Sequence, residues 1–130
     1  MPNTDRAMTL DLETYDDDNI FAKILRGELP AKVLHDSEHV LAFPDIAPQA
    51  PVHILVIPKG RYIAQGDFHA RASDGEITEL WRAVAALAAE HCDGGHRLIA
   101  NQGSDSGQLI PHFHVHILGG RKLGALVPEA

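Results

Sequence analysis

The stretch PHFHVHILGG, residues 111–120, decides the fold because polar and apolar side chains alternate along it. Histidine stands at every second position: His112, His114 and His116. The residues between them are apolar: Phe113, Val115 and Ile117. Successive side chains of a β-strand point to opposite faces of the sheet. The spacing therefore predicts a strand with a row of imidazoles on one face and core side chains on the other.

The first half of the chain predicts one helix and three strands. A short amphipathic helix begins after the N-cap residue Asn19 and ends at Gly27. Two apolar runs then flank a polar corner at residues 37–38, which is typical of a β-hairpin. The β-branched run over residues 52–58 indicates a third, central strand.

The second half predicts a long helix and two more strands. Ser73, followed three residues later by Glu76, forms a capping-box pattern, and apolar side chains repeat at helical spacing up to about Cys92. HRLIAN, residues 96–101, reads as a strand before the histidine strand. The order of elements predicts an α+β domain with a five-stranded antiparallel sheet, one long helix and one short helix.

Length and charge predict one domain with an acidic extension. The chain has 130 residues, 45% of them hydrophobic, which suffices for one core and is too short to suggest two. Residues 1–18 carry six acidic side chains and one basic one, which leaves 12 acidic and 10 basic side chains on the rest. We therefore expect a disordered extension over residues 1–18 and a folded domain over residues 19–130.

Composition also excludes several classes of partner. The nearly neutral domain has no basic face to hold a nucleic acid. Cys92 is the only cysteine, so no internal disulfide forms and a reducing compartment is favoured. No apolar stretch approaches the about 18 residues that span a bilayer, and the acidic start of the chain is unlike a signal peptide. We expect a cytoplasmic protein that binds neither nucleic acid nor membrane.

The histidine row suits nucleophilic chemistry at phosphorus. A neutral imidazole attacks phosphorus without bringing a negative charge, and it leaves readily from the adduct when protonated. His114, the central member, is the candidate nucleophile, and His112 and His116 stand where they would hold its tautomer, move protons or donate to phosphate oxygens. The preceding loop GSDSGQ, residues 103–108, has two glycines that free backbone N–H groups to face an anion. Row and loop together predict a phosphate site.

Two other interpretations of the row remain open. The histidines would be simple polar side chains if this face of the strand were exposed to solvent. Two neighbouring histidines could also share a metal ion with a third ligand such as His53. However, the outer two are roughly 13 Å apart along the strand, and neither a second cysteine nor a nearby carboxylate completes a ligand set. We therefore expect no metal and no other cofactor.

HFHVHIL fits the signature His-φ-His-φ-His-φ-φ, with φ an apolar residue, of the histidine triad (HIT) superfamily of nucleotide hydrolases and transferases. The similarity extends to the stretches IFAKILRGELPAKVLHDSEHVLAFPDIAPQAPVHILVIPK, IANQGSDSGQ and PHFHVHILGGRKLG. These resemble the Hint branch, the purine nucleoside phosphoramidate hydrolases, and cover most of residues 19–124. The resemblance implies the HIT-like fold, a homodimer whose sheet continues from one subunit to the other, and one purine nucleotide site per subunit.

The resemblance also implies roles for individual residues. His114 would attack the α-phosphorus of an adenosine or guanosine phosphoramidate and expel the amine, and water would then release AMP or GMP. The assisting residues would be His112, His116 and His53. The nucleotide would be held by Asp45 at the ribose, by Asn101 and the backbone of Gly107 and Gln108 at the phosphate, and by Phe21 and Ile46 at the base.

Several of these residues have a structural alternative. His53 would be an inward strand histidine satisfied by one hydrogen bond, and Asp45 would be a turn acid before Pro48. Phe21 and Ile46 would serve core packing alone.

Two positions depart from the family pattern. Family members often carry Ser, Thr or Glu directly after the Gly-Gln pair, where this chain has Leu109, which donates no side-chain hydrogen bond. We expect weaker turnover or an altered preference among leaving groups. Pro44 replaces a histidine often found in relatives, and we expect this change to be harmless.

Three other functions remain open at this point. The first is a nucleotide-binding regulatory protein with little turnover. The second is a HIT hydrolase of dinucleoside polyphosphates or adenylylsulfate. The third is an enzyme whose site depends on zinc.

Overall fold

The sheet has the strand order β1-β2-β3-β5-β4 in the computed structural model, which describes residues 10–128. Every pair of neighbouring strands is antiparallel. The strands are β1 (His35–Asp36), β2 (Val40–Pro44), β3 (Val52–Pro58), β4 (His96–Ile99) and β5 (Val115–Gly119). The predicted five-stranded antiparallel sheet is confirmed, and β3 is a central strand with neighbours on both sides.

Three α-helices accompany the sheet in the described part of the chain: α1 (Ile20–Leu25), α2 (Gln65–Arg71) and α3 (Asp74–His91). The caps predicted for α1 and α3 are confirmed. The Ala22 N–H donates to the Asn19 side chain, and the Ser73 and Glu76 side chains each accept from the other residue's backbone N–H. These local patterns place both helix starts.

Helix α2 was not predicted; it is a third helix beside the predicted short and long ones in the described part of the chain. It has seven residues, buries only Phe68, and contains Gly66, so it shows little apolar periodicity. Its start is stabilised by Asp67, whose carboxylate accepts from the backbone N–H groups of Ile63 and Ala64 at 2.8 and 2.7 Å. Tertiary contacts rather than periodicity define this helix.

The histidine strand begins later than the alternation suggests, because β5 starts at Val115. The segment before it is tied to the loop after β3 instead of the sheet ladder: the Phe113 N–H donates to the Tyr62 carbonyl at 2.8 Å. The alternation of faces still holds across this boundary. Phe113, Val115 and Ile117 all lie in the core.

The two faces of the sheet carry separate cores. We call the face under α3 the closed face; its sheet residues include Val40, Ala42, Ile54, Val56, Val115 and Ile117. The opposite side, the open face, carries a smaller cluster: Leu41, Phe43, Leu55 and Ile57, with Phe21 from α1. Since side chains alternate along β3 and β5, His53 and His116 belong to the open face.

Residues 10–18, which we call the N-terminal segment, lie against the domain. Arg61 donates two hydrogen bonds to the Asp17 carboxylate at 3.0 and 2.9 Å, and its guanidinium lies 5.1 Å from the centre of the Tyr15 ring. Arg26 donates to the Asp17 carbonyl at 2.8 Å. The remainder of the predicted disordered extension, residues 1–9, lies outside the described residues. In the described part no helix is long and apolar enough to cross a membrane.

Candidate active site

Four histidines meet on the open face of the sheet. His53 Nε2 lies 2.9 Å from His116 Nδ1, and the ring centres of His114 and His116 are 4.9 Å apart. In the strand register His53 is opposite Leu118, so His116 is its diagonal neighbour two residues along β5. Diagonal neighbours are within reach of aromatic side chains, which explains how residues 63 positions apart in the chain come into contact.

The hydrogen bonds of His112 and His114 define their tautomers. A carbonyl oxygen only accepts, so a ring nitrogen bonded to one must carry its hydrogen. His112 Nε2–H donates to the Pro58 carbonyl at 2.8 Å, and His114 Nδ1–H donates to the His112 carbonyl at 2.7 Å. His114 therefore presents an unprotonated Nε2, the nitrogen that a nucleophile requires.

The same reasoning places a hydrogen-bond donor on His116, the neighbour of His114. The Gln49 N–H donates to His53 Nδ1 at 3.0 Å, so the hydrogen of His53 sits on Nε2 and points to His116 Nδ1. His116 then carries its own hydrogen on Nε2. The open face thus offers a lone pair on His114 and an N–H group on His116.

Burial keeps the four rings neutral near pH 7. Loss of hydration is the main cause that lowers the pKa of His112 to about 4 and the pKa of His116 to about 4. For His116 the neighbouring rings of His114 and His53 add to the effect. Burial also lowers the pKa of His114 and of His53, against a smaller opposing effect of the Asp45 carboxylate. A neutral His114 is ready to act as a nucleophile.

Asp45 joins this cluster from the end of β2. Its Oδ2 lies 3.5 Å from His53 Nε2, and its Oδ1 accepts from the Ala47 N–H at 2.8 Å. One oxygen thus stabilises the turn, as the structural alternative expects, while the other faces the histidines. The Asp45 N–H also donates to the His53 carbonyl at 2.9 Å, which continues the antiparallel pairing of β2 and β3 by one residue.

This position corrects one sequence argument. The expectation that no nearby carboxylate completes a metal-ligand set is wrong, because the turn after β2 brings Asp45 beside His53 and His116. Ligand atoms of these three residues lie within 4.8 Å of one another. A carboxylate oxygen and two imidazole nitrogens suit a divalent cation such as zinc.

An apolar cavity of about 570 Å³ opens next to the cluster. Its walls include Phe21, Phe43, Leu55 and Ile110, and the two charged residues of the lining are Asp45 and Lys32. The Phe21 ring contacts the His114 ring edge-to-face, with centres 5.1 Å apart, so cavity and histidines adjoin. Ile46, which also lines the cavity, is 98% exposed and does not contribute to core packing.

The glycine loop is bent as expected but uses its N–H groups internally. Gly103 and Gly107 both have φ of 83°, a conformation that favours glycine. The Gly107 N–H donates to the Ser104 carbonyl at 3.0 Å, and the Gln108 N–H to the Gly103 carbonyl at 3.2 Å. Phosphate contacts by these two N–H groups remain a prediction, one that would require the loop to rearrange.

Gln108 and Asn101, the other residues predicted near the phosphate, make different contacts. Gln108 is buried, and its amide donates to the carbonyls of Ile63 and Ile110 while accepting from the Gly103 N–H. Its side chain therefore links the glycine loop to the segments around Ile63 and Ile110. Asn101 is half-buried just after β4, and within residues 10–128 its side chain makes no hydrogen bond to the histidine row.

The contact between Tyr15 and His112 was not predicted from the sequence. The Tyr15 hydroxyl lies 2.5 Å from His112 Nδ1, although the two residues are 97 positions apart. The only signal in the sequence is an aromatic residue inside an otherwise acidic stretch. His112 itself has no exposed surface, so both of its ring nitrogens are satisfied inside the protein.

The family follows from comparison with known proteins. The HIT domain model matches residues 26–123, and the chain belongs to this family. A 13.2 kDa HIT-like protein of Azospirillum brasilense is 51% identical over 119 residues, which are 90% of this chain and 98% of that protein. A protein of Brassica juncea described as a 14 kDa zinc-binding protein is 43% identical over 108 residues, 82% of this chain and 96% of that protein.

A solved structure shows the same fold. A HIT family hydrolase from Clostridium thermocellum superimposes with a TM-score of 0.75 at 31% identity, covering 87% of this chain and 99% of that one. The predicted HIT-like fold is confirmed. The architecture is that of HIT family hydrolases.

Proposed function

We propose that this protein is a purine nucleoside phosphoramidate hydrolase that works through a covalent nucleotidyl-histidine. The observation that carries the proposal is the unprotonated Nε2 of a neutral His114, held by a hydrogen bond at its other nitrogen and lying between the apolar cavity and His116. In the first step this lone pair forms a bond to the α-phosphorus and the P–N bond breaks. The departing amine takes a proton.

His116 is the group that supplies this proton. An amine is a poor leaving group until it is protonated, and the His116 ring centre lies 4.9 Å from that of His114. The negative charge of a bound phosphate raises the pKa of nearby imidazoles, which favours the protonated form of His116 in the complex. His116 Nδ1 then carries a hydrogen, so the His53 Nε2–H would turn from it to the Asp45 carboxylate oxygen 3.5 Å away. In the second step water attacks phosphorus and gives a proton to His116. The bond from phosphorus to His114 Nε2 breaks, which releases the nucleoside monophosphate and restores free His114.

The rest of the nucleotide fits the surroundings of this centre. The base would enter the apolar cavity beside Phe21 and Ile46, and the ribose hydroxyls would donate to Asp45. Cavities of this size, with mostly apolar walls and few polar groups, are typical of small-molecule sites. His112 would hold His114 through its carbonyl, and His53 would orient His116.

The charge around the open side supports an amine over a polyphosphate as the leaving group. A pocket there is lined by Leu109, Pro111 and acidic residues of the N-terminal segment: Asp11, Asp16, Asp18 and Asp17, the last of which is paired with Arg61. Carboxylates repel an anionic leaving group and attract a cationic one. This favours phosphoramidates over dinucleoside polyphosphates and adenylylsulfate.

The test is turnover of a fluorogenic adenosine phosphoramidate in chelator, with mass spectrometry for a trapped nucleotidyl adduct. We expect His114→Ala to lose at least about 10³-fold in kcat and the wild type to carry an AMP-sized adduct on His114. His91→Ala, which changes an exposed histidine at the end of α3, is the matched control and should retain activity. Binding of AMP with background turnover would instead identify a regulatory nucleotide-binding protein.

A second candidate function is zinc binding at Asp45, His53 and His116. The three ligand atoms favour it, and a relative is described as zinc-binding. The His53 Nε2 to His116 Nδ1 hydrogen bond of 2.9 Å would have to break, because both nitrogens would turn lone pairs to the ion. Because Asp45 and His116 are also the residues proposed to contact the substrate, zinc would compete with nucleotide. Calorimetry with zinc should show binding that Asp45→Asn weakens and AMP suppresses; heat unchanged by Asp45→Asn would reject this site.

We also propose a cytoplasmic homodimer that forms through β4. This strand ends the sheet and pairs only with β5 among the described strands, and its Leu98 is 41% exposed. Such an edge is a template for pairing with a second copy. Light scattering should give twice the chain mass for the wild type and the single-chain mass for Leu98→Arg; a monomeric wild type would contradict the proposal.

A further inference from the structure

We propose that Tyr15 is a positioning residue of the active site, whose hydroxyl group holds the His112 ring and through it the carbonyl that orients His114. This inference rests on the proposed function of His114 as the nucleophile. It assigns a part of the machinery to the N-terminal segment, residues 10–18, which the HIT domain match does not include.

The direction of the Tyr15 hydrogen bond follows from the His112 tautomer. His112 Nε2–H donates to the Pro58 carbonyl, so a neutral ring leaves Nδ1 as an acceptor. The Tyr15 hydroxyl, 2.5 Å away, must therefore donate to Nδ1. Without it, a ring with no exposed surface would keep an unpaired acceptor or turn over to find another partner.

The link from His112 to the reacting atom is short. The His112 carbonyl accepts from His114 Nδ1–H at 2.7 Å, and this bond keeps the lone pair of His114 on Nε2. The Phe21 ring packs edge-to-face against both imidazoles, with ring centres 6.2 Å from His112 and 5.1 Å from His114. A turned His112 ring would disturb this packing and the direction of its own carbonyl.

Contacts outside the site hold the Tyr15 ring in place. Arg61 lies over the ring and binds both oxygens of the Asp17 carboxylate. Asn19 donates from its side chain and its backbone to the Asp16 carbonyl, which joins the segment to the start of α1. These anchors make the Tyr15 hydroxyl a fixed donor, which is what a positioning role requires.

The test compares Tyr15→Phe with Tyr62→Phe in the full-length protein. Each change removes one hydroxyl; that of Tyr62 donates to Glu76 at 2.9 Å, away from the histidines. We expect Tyr15→Phe to lower kcat about tenfold with KM changed less than about twofold. Tyr62→Phe should leave kcat within about twofold of the wild type, with any loss confined to thermal stability. An unchanged kcat in Tyr15→Phe would overturn the proposal.

A spectroscopic measurement separates positioning from general stabilisation. Nitrogen-15 shifts of imidazole rings distinguish a protonated nitrogen from an unprotonated, hydrogen-bonded one. The wild type should show His112 with its hydrogen on Nε2 and a hydrogen-bonded Nδ1, and Tyr15→Phe should shift the Nδ1 signal and mix the tautomers of His114. An unchanged His112 signal in the variant would overturn the proposal even if kcat fell.

Two further results keep the test decisive. If Tyr15→Phe does not fold, Arg61→Gln keeps the phenol but releases its anchor, and it should lower kcat and shift His112 Nδ1 in the same directions. A wild-type His112 with its hydrogen on Nδ1 would by itself overturn the proposal. If the wild type hydrolyses no phosphoramidate, the proposed function fails, while the ring signals still decide the role of Tyr15.

Discussion

The closed and open faces of the sheet share the same five strands but differ in their cover. The closed face lies under α3, which has 18 residues, whereas the open face is covered by the six residues of α1 and by the N-terminal segment. The long helix fills its face with apolar side chains. The short helix leaves a cavity of about 570 Å³ and room for four histidines. The cavity and the histidines lie where the cover of the sheet is incomplete.

The comparison also explains the state of the histidines. Their strand neighbours Phe113, Val115 and Ile117 anchor the same backbone in the closed-face core. The rings therefore stand on a rigid support while being buried enough to remain neutral. The closed and open faces are thus two sides of one strand. Substitutions on the closed face should mainly change stability, and those on the open face should mainly change activity.

The largest effect separates stability from activity by truncating one phenylalanine on each side. Phe68 of α2 is fully buried in the closed-face core, and Phe43 lines the cavity. Phe68→Ala should lower the free energy of unfolding by about 4 kcal/mol and leave KM unchanged; Phe43→Ala should cost about 2 kcal/mol, since the cavity already adjoins it, and raise KM. Urea unfolding and steady-state kinetics measure both. Equal stability losses with equal KM would remove the distinction.

The second effect is a loss of stability in acid caused by the buried histidines. His112 has its pKa lowered to about 4 in the folded protein against an ordinary 6.5, so the unfolded chain binds the proton first. The free energy of unfolding should therefore fall as pH drops from about 6.5 to about 4, by on the order of 3 kcal/mol for His112, and this contribution is constant below about 4. His112→Asn should flatten this part of the profile; parallel curves would refute the assignment.

The third effect concerns Asp45, the acidic residue of the cavity lining. Asp45→Asn removes the charge that we expect to accept from the ribose hydroxyls, and KM should rise about tenfold while kcat changes by less than about threefold. The matched control is Asp36→Asn. Asp36 lies in the edge strand β1, and its carboxylate pairs with Lys59. Fluorescence or calorimetric titration with AMP checks the same loss in binding. Equal affinities in both variants would show that Asp45 is only a turn residue.

The smallest effect concerns Leu109, which is 85% exposed beside the acidic pocket. Leu109→Ser restores a side-chain donor and should change kcat about threefold, by an amount that depends on the leaving amine. Val33→Ser, an exposed apolar residue away from the histidines, should have no such effect. Rates of wild type and Leu109→Ser that agree over several amines would show that the position is neutral.

Features set by local sequence were predictable. The caps at Asn19 and Ser73 and the alternation of residues 112–117 depend on neighbours a few positions away, and the structure confirms all three. Helix α2 was missed because seven residues containing Gly66 carry too little periodicity. The start of β5 was misplaced because the Phe113 N–H pairs with Tyr62, far back in the chain.

The site was predictable in its residue types but only partly in its contacts. The histidine row is visible in the sequence as a strict alternation. The contact of Asp45 with His53 depends instead on how the turn after β2 folds. The Tyr15 contact depends on where an acidic terminal segment lies, which no pattern in residues 1–18 indicates. The hydrogen bonds inside the glycine loop likewise follow from its tertiary packing around Gln108.

The shortness of α1 has a consequence for motion. A six-residue helix is far below the about 12–15 residues at which helices become stable alone, so α1 depends on its Asn19 cap and on burial of Phe21 and Ala22. Local opening of α1 should cost less free energy than local unfolding of α3. Such opening would expose the cavity to solvent, because residues of α1 line it. Backbone amides of α1 should therefore exchange with solvent deuterium faster than those of α3, and bound nucleotide should slow them.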